Sequence, residues 1–362
     1  MSAEYFAPEF RVEIDGTAVA ADVSKNVMEL SVTLAPDAID SLRLTLANPY
    51  PALRWTHTAD EELFREGTAI KVFMGYTGAL EPMFDGVLTG VSPTFPESGS
   101  PTLSVEGFSL LQRLQQKSDP ITLQDATDGD MAKKIAEASG LSAKVDDPGI
   151  TYPQLATAGE AHLSYLLERA KEAGREVWVE GTTLHFALPR ATGKPEYTLV
   201  WGRTRDAWTE GSLPLQSFTP TLDAQRPVNT VVVRGMDPLT GEAIVGKAEE
   251  GAEASKMGSQ TGAQVRAAAL GGPTQLVVVG EPVGSLPEAE ARAKAIYNER
   301  AMEFIRGSGA TLGLPRLRSG MVVTLDGVGP RFNGDYYVTR ATHSIGGGGY
   351  RTHFEVRRNS VG

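Results

Sequence analysis

The 362-residue chain contains no cysteine, which excludes disulfides, thiolate metal sites and cysteine nucleophiles together. Histidine is scarce: His57, His162, His185, His343 and His353 are all there is, and none forms a His-Glu-x-x-His helix pair of the kind that binds zinc. No run approaches the ~18 consecutive apolar residues of a membrane-spanning helix, so no span is expected. Positive charge is short as well. Lys and Arg number 34 against 45 Asp and Glu, a net charge of −11, which argues against a surface built to grip nucleic-acid phosphates or anionic lipid. The opening Met1-Ser2-Ala3-Glu4 places an acid where a Sec signal carries bases, and export by that route is not expected.

What the chain does contain is a globular mixture, 41% hydrophobic and 22% charged, long enough for two or three domains. Residues 1–118 read as a first β-barrel domain. Val27-Met28-Glu29-Leu30-Ser31-Val32-Thr33-Leu34 and Ser41-Leu42-Arg43-Leu44-Thr45-Leu46 alternate apolar with polar, the period of a sheet with one buried face. Residues 119–195 change period and read as a small α+β module. A short helix follows Asp128 as N-cap, a second helix runs from about 161 to 173 with Leu163, Leu166, Leu167 and Ala170 on one stripe, and a hairpin closes through Gly181-Thr182. Residues 196–362 return to β and read as a second barrel domain. Within it, 247–275 is rich in Ala, Gly, Glu and Ser and reads as a mobile loop; a helix over 286–306 starts from a capping box at Ser285. The fold class is therefore mainly β, two antiparallel tube-like barrels flanking a small α/β module. From Leu286 onward 11 Lys and Arg outnumber 7 Asp and Glu, a basic end on an acidic chain.

Motifs for chemistry are close misses. Gly241-Glu242-Ala243-Ile244-Val245-Gly246-Lys247-Ala248 lacks the hydroxyl after Lys that a P-loop uses for Mg²⁺ and reads better as a β-hairpin. Gly307-Ser308-Gly309-Ala310-Thr311-Leu312-Gly313 follows a helix, whereas a dinucleotide fingerprint follows a strand. His343 and His353 sit on facing strands of the last hairpin, on one shared face in this reading, without a third ligand. Asp125, Asp128 and Asp130 cluster at a helix start, where the dipole alone favours acids. No catalytic, cofactor-binding or metal residue is assigned, and no enzymatic activity is expected.

Several segments together resemble a known family. Phe64-Arg65-Glu66-Gly67 with Ile70-Lys71-Val72-Phe73-Met74-Gly75-Tyr76 and Met83-Phe84-Asp85-Gly86-Val87 looks like a first-barrel signature. His162 to Ala170 and Val179 to Phe186 resemble the middle module, and Val231-Val232-Val233-Arg234-Gly235 the strand opening the second barrel. The most specific stretch runs from Arg306-Gly307-Ser308-Gly309 through Gly313-Leu314-Pro315-Arg316-Leu317-Arg318-Ser319-Gly320 to Arg331-Phe332-Asn333-Gly334-Asp335-Tyr336 and a Gly-rich hairpin. The chain thus resembles the phage late control protein D family: baseplate hubs of contractile tails and injection systems, similar to the N-terminal part of VgrG.

The resemblance implies a structural homotrimer. Two barrels per chain would give a pseudo-sixfold ring joining the sixfold inner tube protein to a threefold spike. The spike would be a separate protein, other baseplate components would dock around the hub, and the particle would assemble in the bacterial cytoplasm. Arg316, Arg318 and Arg331, the basic set near the C-terminus, are the expected interface residues. Two alternatives stand beside this: a tail-associated peptidoglycan hydrolase using the acids of the middle module, and a glycan-binding tail protein using Trp55, Trp178, Trp201 or Trp208.

Overall fold

The computed structural model describes residues 7–47, 63–202, 212–237, 240–280 and 282–362; Trp55, His57 and Trp208 lie outside them. The first region holds β1 (Pro8–Ile14), β2 (Thr17–Ala18), the short helix α1 (Ala21–Ser24), β3 (Val27–Leu34), β4 (Ser41–Ala47), β5 (Ala69–Tyr76), β6 (Ala79–Thr94), β7 (Thr102–Ser109) and α2 (Gln112–Gln115). A middle module follows, with β8 (Thr122–Thr127), α3 (Asp128–Ala138), β9 (Ser142–Val145), β10 (Thr151–Ala156), α4 (His162–Ala173), β11 (Glu176–Glu180) and β12 (Thr183–Ala187). After β13 (Tyr197–Trp201) and β14 (Ser212–Leu222) come β15 (Thr230–Met236), β16 (Ala243–Glu249), β17 (Gln260–Thr261), α5 (Gly262–Ala269), β18 (Gln275–Val279) and α6 (Leu286–Met302). The chain closes with β19 (Ile305–Leu312), β20 (Val322–Asp326), β21 (Gly334–Gly346), β22 (Gly349–Arg358) and β23 (Ser360–Val361).

The period-2 pattern fixes which side chains enter the core. Leu30, Val32 and Leu34 of β3 and Leu42, Leu44 and Leu46 of β4 are buried, with Ser31, Thr33, Arg43 and Thr45 on the opposite face. The first region pairs antiparallel in the order β2-β1-β5-β6-β7-β4-β3. Val12 and Ile14 of β1 share one cluster with the leucines of β3, so the sheet curls around its core, although β1 and β3 are not hydrogen-bonded to each other. Instead β3 pairs with β21.

Strand β21 also begins a closed ring. The order β21-β20-β13-β14-β19-β22 returns to β21, a six-stranded barrel filled by Leu199, Leu215, Val323, Leu325, Tyr336, Val338, Phe354 and Val356. Both regions are thus parts of one 13-stranded sheet. Two glycines of β19 make room for barrel aromatics: a Cβ on Gly307 would lie 2.6 Å from the Phe218 ring, and one on Gly309 2.5 Å from the Phe354 ring. That accounts for the Gly-x-Gly spacing without a nucleotide. One strand departs from the antiparallel expectation. β13 runs parallel to both β14 and β20, because no hairpin joins it to either neighbour.

Other expectations are corrected. Residues 247–275 are not simply a loop; they contain the end of β16, β17 and helix α5. Helix α5 starts from a capping box in which Thr261 Oγ1 accepts from Gln264 N and Gln264 Oε1 accepts from Thr261 N. Its small residues let it sit close to the barrel, where a Cβ on Gly262 would meet Phe304 at 2.5 Å. β15 is not a barrel strand. It pairs with β16 and β18 in a separate three-stranded sheet under α6, with Val231, Val233, Ala289, Ala293 and Tyr297 in its core. Helix α6 ends at Met302, and Ile305 already belongs to β19. The N-cap of α3 is Thr127, whose hydroxyl accepts from Asp130 N, and not Asp128.

Candidate interface

The segment between β19 and β20, residues 313–320, is where the curled first sheet is bolted to the closed barrel. His343 of β21 is fully buried and spans the joint: Nε2 lies 2.8 Å from Leu317 O, and Nδ1 lies 3.0 Å from Tyr350 Oη and 3.2 Å from Thr352 Oγ1. Burial pushes its pKa down to about 3, so it is a neutral, fully satisfied core histidine. Thr352 Oγ1 accepts from Leu314 N at 2.9 Å, and Tyr76 of the first region donates its hydroxyl to Gly313 O at 2.9 Å. Tyr76 and Tyr350 rings pack at 5.8 Å between centroids.

Two of the three expected interface arginines also contact the first region at this joint. Arg316 Nε pairs with Glu81 of β6 at 2.7 Å, and Arg318 Nη2 donates to Pro82 O of the same strand. Arg318 faces Asp40, and burial pulls its pKa down. Arg316 stays exposed despite its pair with Glu81, and Arg331 is exposed on a turn. Asp335, across the turn from it, accepts from Thr324 Oγ1 at 2.6 Å. Sequence reasoning could find these basic residues but not the strand that captures two of them.

Acids gather where the middle module meets both barrels. Tyr337 of β21 donates to Glu176 Oε2 of β11 at 2.5 Å, while Asp37 in the β3–β4 turn accepts from Val177 N at 2.8 Å. Asp40 in the same turn accepts from Ala35 N at 3.1 Å. Burial pushes Glu176 and Asp40 up to about 7 from ordinary values of 4.5 and 3.8; for Glu176 the Tyr337 bond opposes the rise and Asp37 adds to it. The folded chain therefore holds these protons more tightly than the unfolded one. The stability they supply is full below the ordinary values and is lost as pH rises to about 7. Melting temperature measured between pH 4 and 8 is expected to fall less steeply over that window in the Glu176→Gln, Asp40→Asn double variant than in the parent; parallel curves would refute the assignment.

The residues weighed for chemistry are engaged elsewhere. Register pairs His343 with Thr352 and Thr342 with His353, which puts the two histidines on opposite faces of the sheet, one buried and one exposed. Asp128 is buried and bound bidentately by Arg169, Nε–Oδ1 2.6 Å and Nη2–Oδ2 3.2 Å. Asp130 serves the α3 capping box and pairs with Lys133 at 3.2 Å. Asp125 occupies left-handed backbone, φ 47°. Trp178 is sandwiched between the His185 ring, 4.7 Å away, and the Arg190 guanidinium, 4.8 Å away, while Trp201 lies half-exposed at the end of β13. The near P-loop is the β15–β16 hairpin, with Gly241 N donating to Asp237 O at 2.9 Å.

One surface crosses both barrels. Directly opposed pairs give a row Glu106–Arg43–Ser31–Ser344–Arg351 across β7, β4, β3, β21 and β22. The next row contains Ser41, Thr33, Thr342 and His353, with Thr33 and Thr342 hydroxyls 3.2 Å apart. On β19 and β14 this row continues through Ala310 and Ser217, and Ser308 and Thr219 align with Glu355 in the row beyond. Some of its charges are mated across strands, Arg43 with Glu106 at 2.6 Å and Arg340 with Glu355 at 3.7 Å, while Arg351 is exposed. A wall of hydroxyls and self-paired charges faces water well and offers little apolar area to a dry interface.

The architecture, a mainly β chain with a closed six-stranded barrel, further strands in the same sheet and α+β inserts, is the fold of phage-tail proteins. It superimposes on the 43 kDa tail protein of prophage MuSo2 from Shewanella oneidensis with a TM-score of 0.70 and 15% identity, covering 97% of this chain and 98% of that one. The tail protein from Neisseria meningitidis MC58 gives 0.66 at 15% identity, covering 98% and 97%. The E. coli c3393 protein, a component of the type VI secretion system similar to T4 tail proteins gp27 and gp5, gives 0.59 at 12% identity, covering 96% and 77%. No curated protein matches the chain by sequence. The family model of the Alg8 N-terminal domain matches residues 6–347, and the chain belongs to that family.

Proposed function

We propose that the chain is the structural hub of a contractile tail-like particle. It forms a homotrimer whose two barrels per protomer make a pseudo-sixfold ring, meeting a sixfold inner tube on one side and a separate threefold spike protein on the other, with further baseplate components around it. The observation that carries this is the polar wall running without a break from the first barrel into the second. Two barrels sharing one sheet are held at a fixed mutual angle, as a ring segment requires, and a wall of Ser, Thr and paired charges suits the water-filled bore of a tube. The likeness to prophage tail proteins over nearly the whole chain supports the same reading. The role is mechanical, without catalysis, and the particle assembles in the bacterial cytoplasm before any release.

Mass photometry and negative-stain imaging of the purified chain test this. Rings of three copies with a central bore are expected, alone or with tube and spike proteins added. A chain that stays monomeric at micromolar concentration with both present would overturn the proposal. Among the arginines, Arg331→Glu is expected to weaken ring formation while leaving the melting temperature within about 2 °C, because an exposed substitution rarely exceeds ~0.5 kcal/mol. Arg318→Glu is expected to lower the melting temperature itself, since Pro82 O would lose its donor. Unchanged assembly with Arg331→Glu removes that residue from the interface.

A further inference from the structure

The three-stranded sheet β16-β15-β18 is covered by α6 on one face only. On its other face, register aligns Val245, Arg234 and Val279 in one row, Lys247, Val232 and Val277 in the next, and Ala243 with Met236 beyond. Met236, Val245, Val277 and Val279 are 65, 48, 43 and 70% exposed, so four of the chain's exposed large hydrophobics share a single small face. Lys247 is neutralised by Glu249 at 2.6 Å. Arg234, central among the aliphatic side chains, meets no carboxylate among the described residues.

The edge of this sheet is unusual within the molecule. Proteins guard free strand edges with charge, proline or shortness. Among the described edge strands longer than two residues, β1 carries Arg11, β8 Asp125, β9 Lys144, β10 Pro153, β11 Glu176 and β16 Lys247. Strand β18 reads Gln-Leu-Val-Val-Val, with none of these. An unguarded edge beside an apolar face is the arrangement by which a sheet accepts an added strand, with main-chain bonds for affinity and alternate side chains for selectivity.

The geometry points to β18 as the docking edge for an extended segment of a partner protein, aliphatic on one face and carrying a carboxylate opposite Arg234. Strands lie ~4.8 Å apart, so an added strand would run ~10 Å from β15, a span that an arginine and a glutamate bridge together. Unpaired positive charge amid valines selects an acidic segment over a basic one. This inference rests on the three-stranded sheet alone and stands apart from the trimer.

A capped octapeptide alternating valine and threonine with one glutamate, and its twin with lysine in that place, are the probes. Hydrogen exchange on the full chain with 1 mM glutamate peptide is expected to slow the amides of residues 275–279 by about tenfold, and the lysine peptide to leave them unchanged. Arg234→Glu is expected to reverse that preference, and Val277→Lys with Val279→Lys, both exposed and checked for folding by circular dichroism, to abolish protection. Equal protection by both peptides, or none by either, overturns the inference. Concentration-dependent self-association that the valine substitutions abolish would assign the edge to a second copy and overturn it as well.

Discussion

Replacing Arg169 by methionine is expected to destabilise the protein by about 3–5 kcal/mol at pH 7, the range for stripping one partner from a buried ion pair. Asp128 is 1% exposed in its side chain and Arg169 17%. Arg169 also pairs with Glu172 at 2.6 Å and covers the Tyr152 ring at 4.5 Å, so a single side chain ties α3, α4 and β10 together. Burial raises the Asp128 pKa, and the two hydrogen bonds and charge of Arg169 hold it back. Without the guanidinium the carboxylate keeps only the Tyr152 hydroxyl in its favour and takes up a proton more readily, so the loss shrinks as pH falls toward the ordinary carboxylate range. Urea titration checks this. The Asp128→Asn, Arg169→Met double variant is expected to regain most of the loss, because a neutral amide is far cheaper to bury than an unpaired charge. A double variant no more stable than Arg169→Met would show that packing, not charge, dominates.

The joint between the barrels gives the second large effect. A Cβ on Gly313 would fall 2.0 Å from Tyr350 Cγ, and Tyr350 cannot retreat, being buried and bonded to His343. Gly313→Val is expected to cost at least ~3 kcal/mol, the upper end for overpacking a core, and to release the protection of residues 313–320 in hydrogen exchange before the rest of either barrel. Gly347, with nothing within 4 Å of its Cβ position, supplies the control: Gly347→Val is expected to stay within about 0.5 kcal/mol. Equal melting temperatures for the two variants would remove the joint from the list of stabilising features.

These two sites were unequally legible in the sequence. The Gly313 to Gly320 segment stood out by its punctuation, while the Asp128–Arg169 pair joins residues 41 positions apart that no local pattern links. Helix α5 was missed because its alanines and glycines give no aliphatic stripe, although Thr261 and Gln264 spell its capping box. Val231-Val232-Val233 reads as a barrel strand because consecutive apolar valines mark a strand without saying which sheet it joins. Position in facing strands suggests one face for His343 and His353, whereas the observed register alternates them; a shift of one residue reverses every side chain of a strand.

Alternation, turns and caps act between residues two to four apart, and the sequence alone determined what rests on them: the alternating strands β3 and β4, the last hairpin and the helices of the middle module, but not β13 or β19. Which strands stitch together depended on contacts no local signal carries. β3 meets β21 across some 300 residues of chain, with Thr33 and Thr342 309 positions apart. Tertiary structure also decided the fate of the polar groups, drawing Arg318 onto Pro82 O and pairing Arg316 with Glu81 at the surface, and leaving the outer face of β18 exposed. Charge and hydrophobicity state what a side chain prefers; only the packed neighbours, competing for the same donors and the same buried area, settle whether that preference is met within the chain or by another molecule.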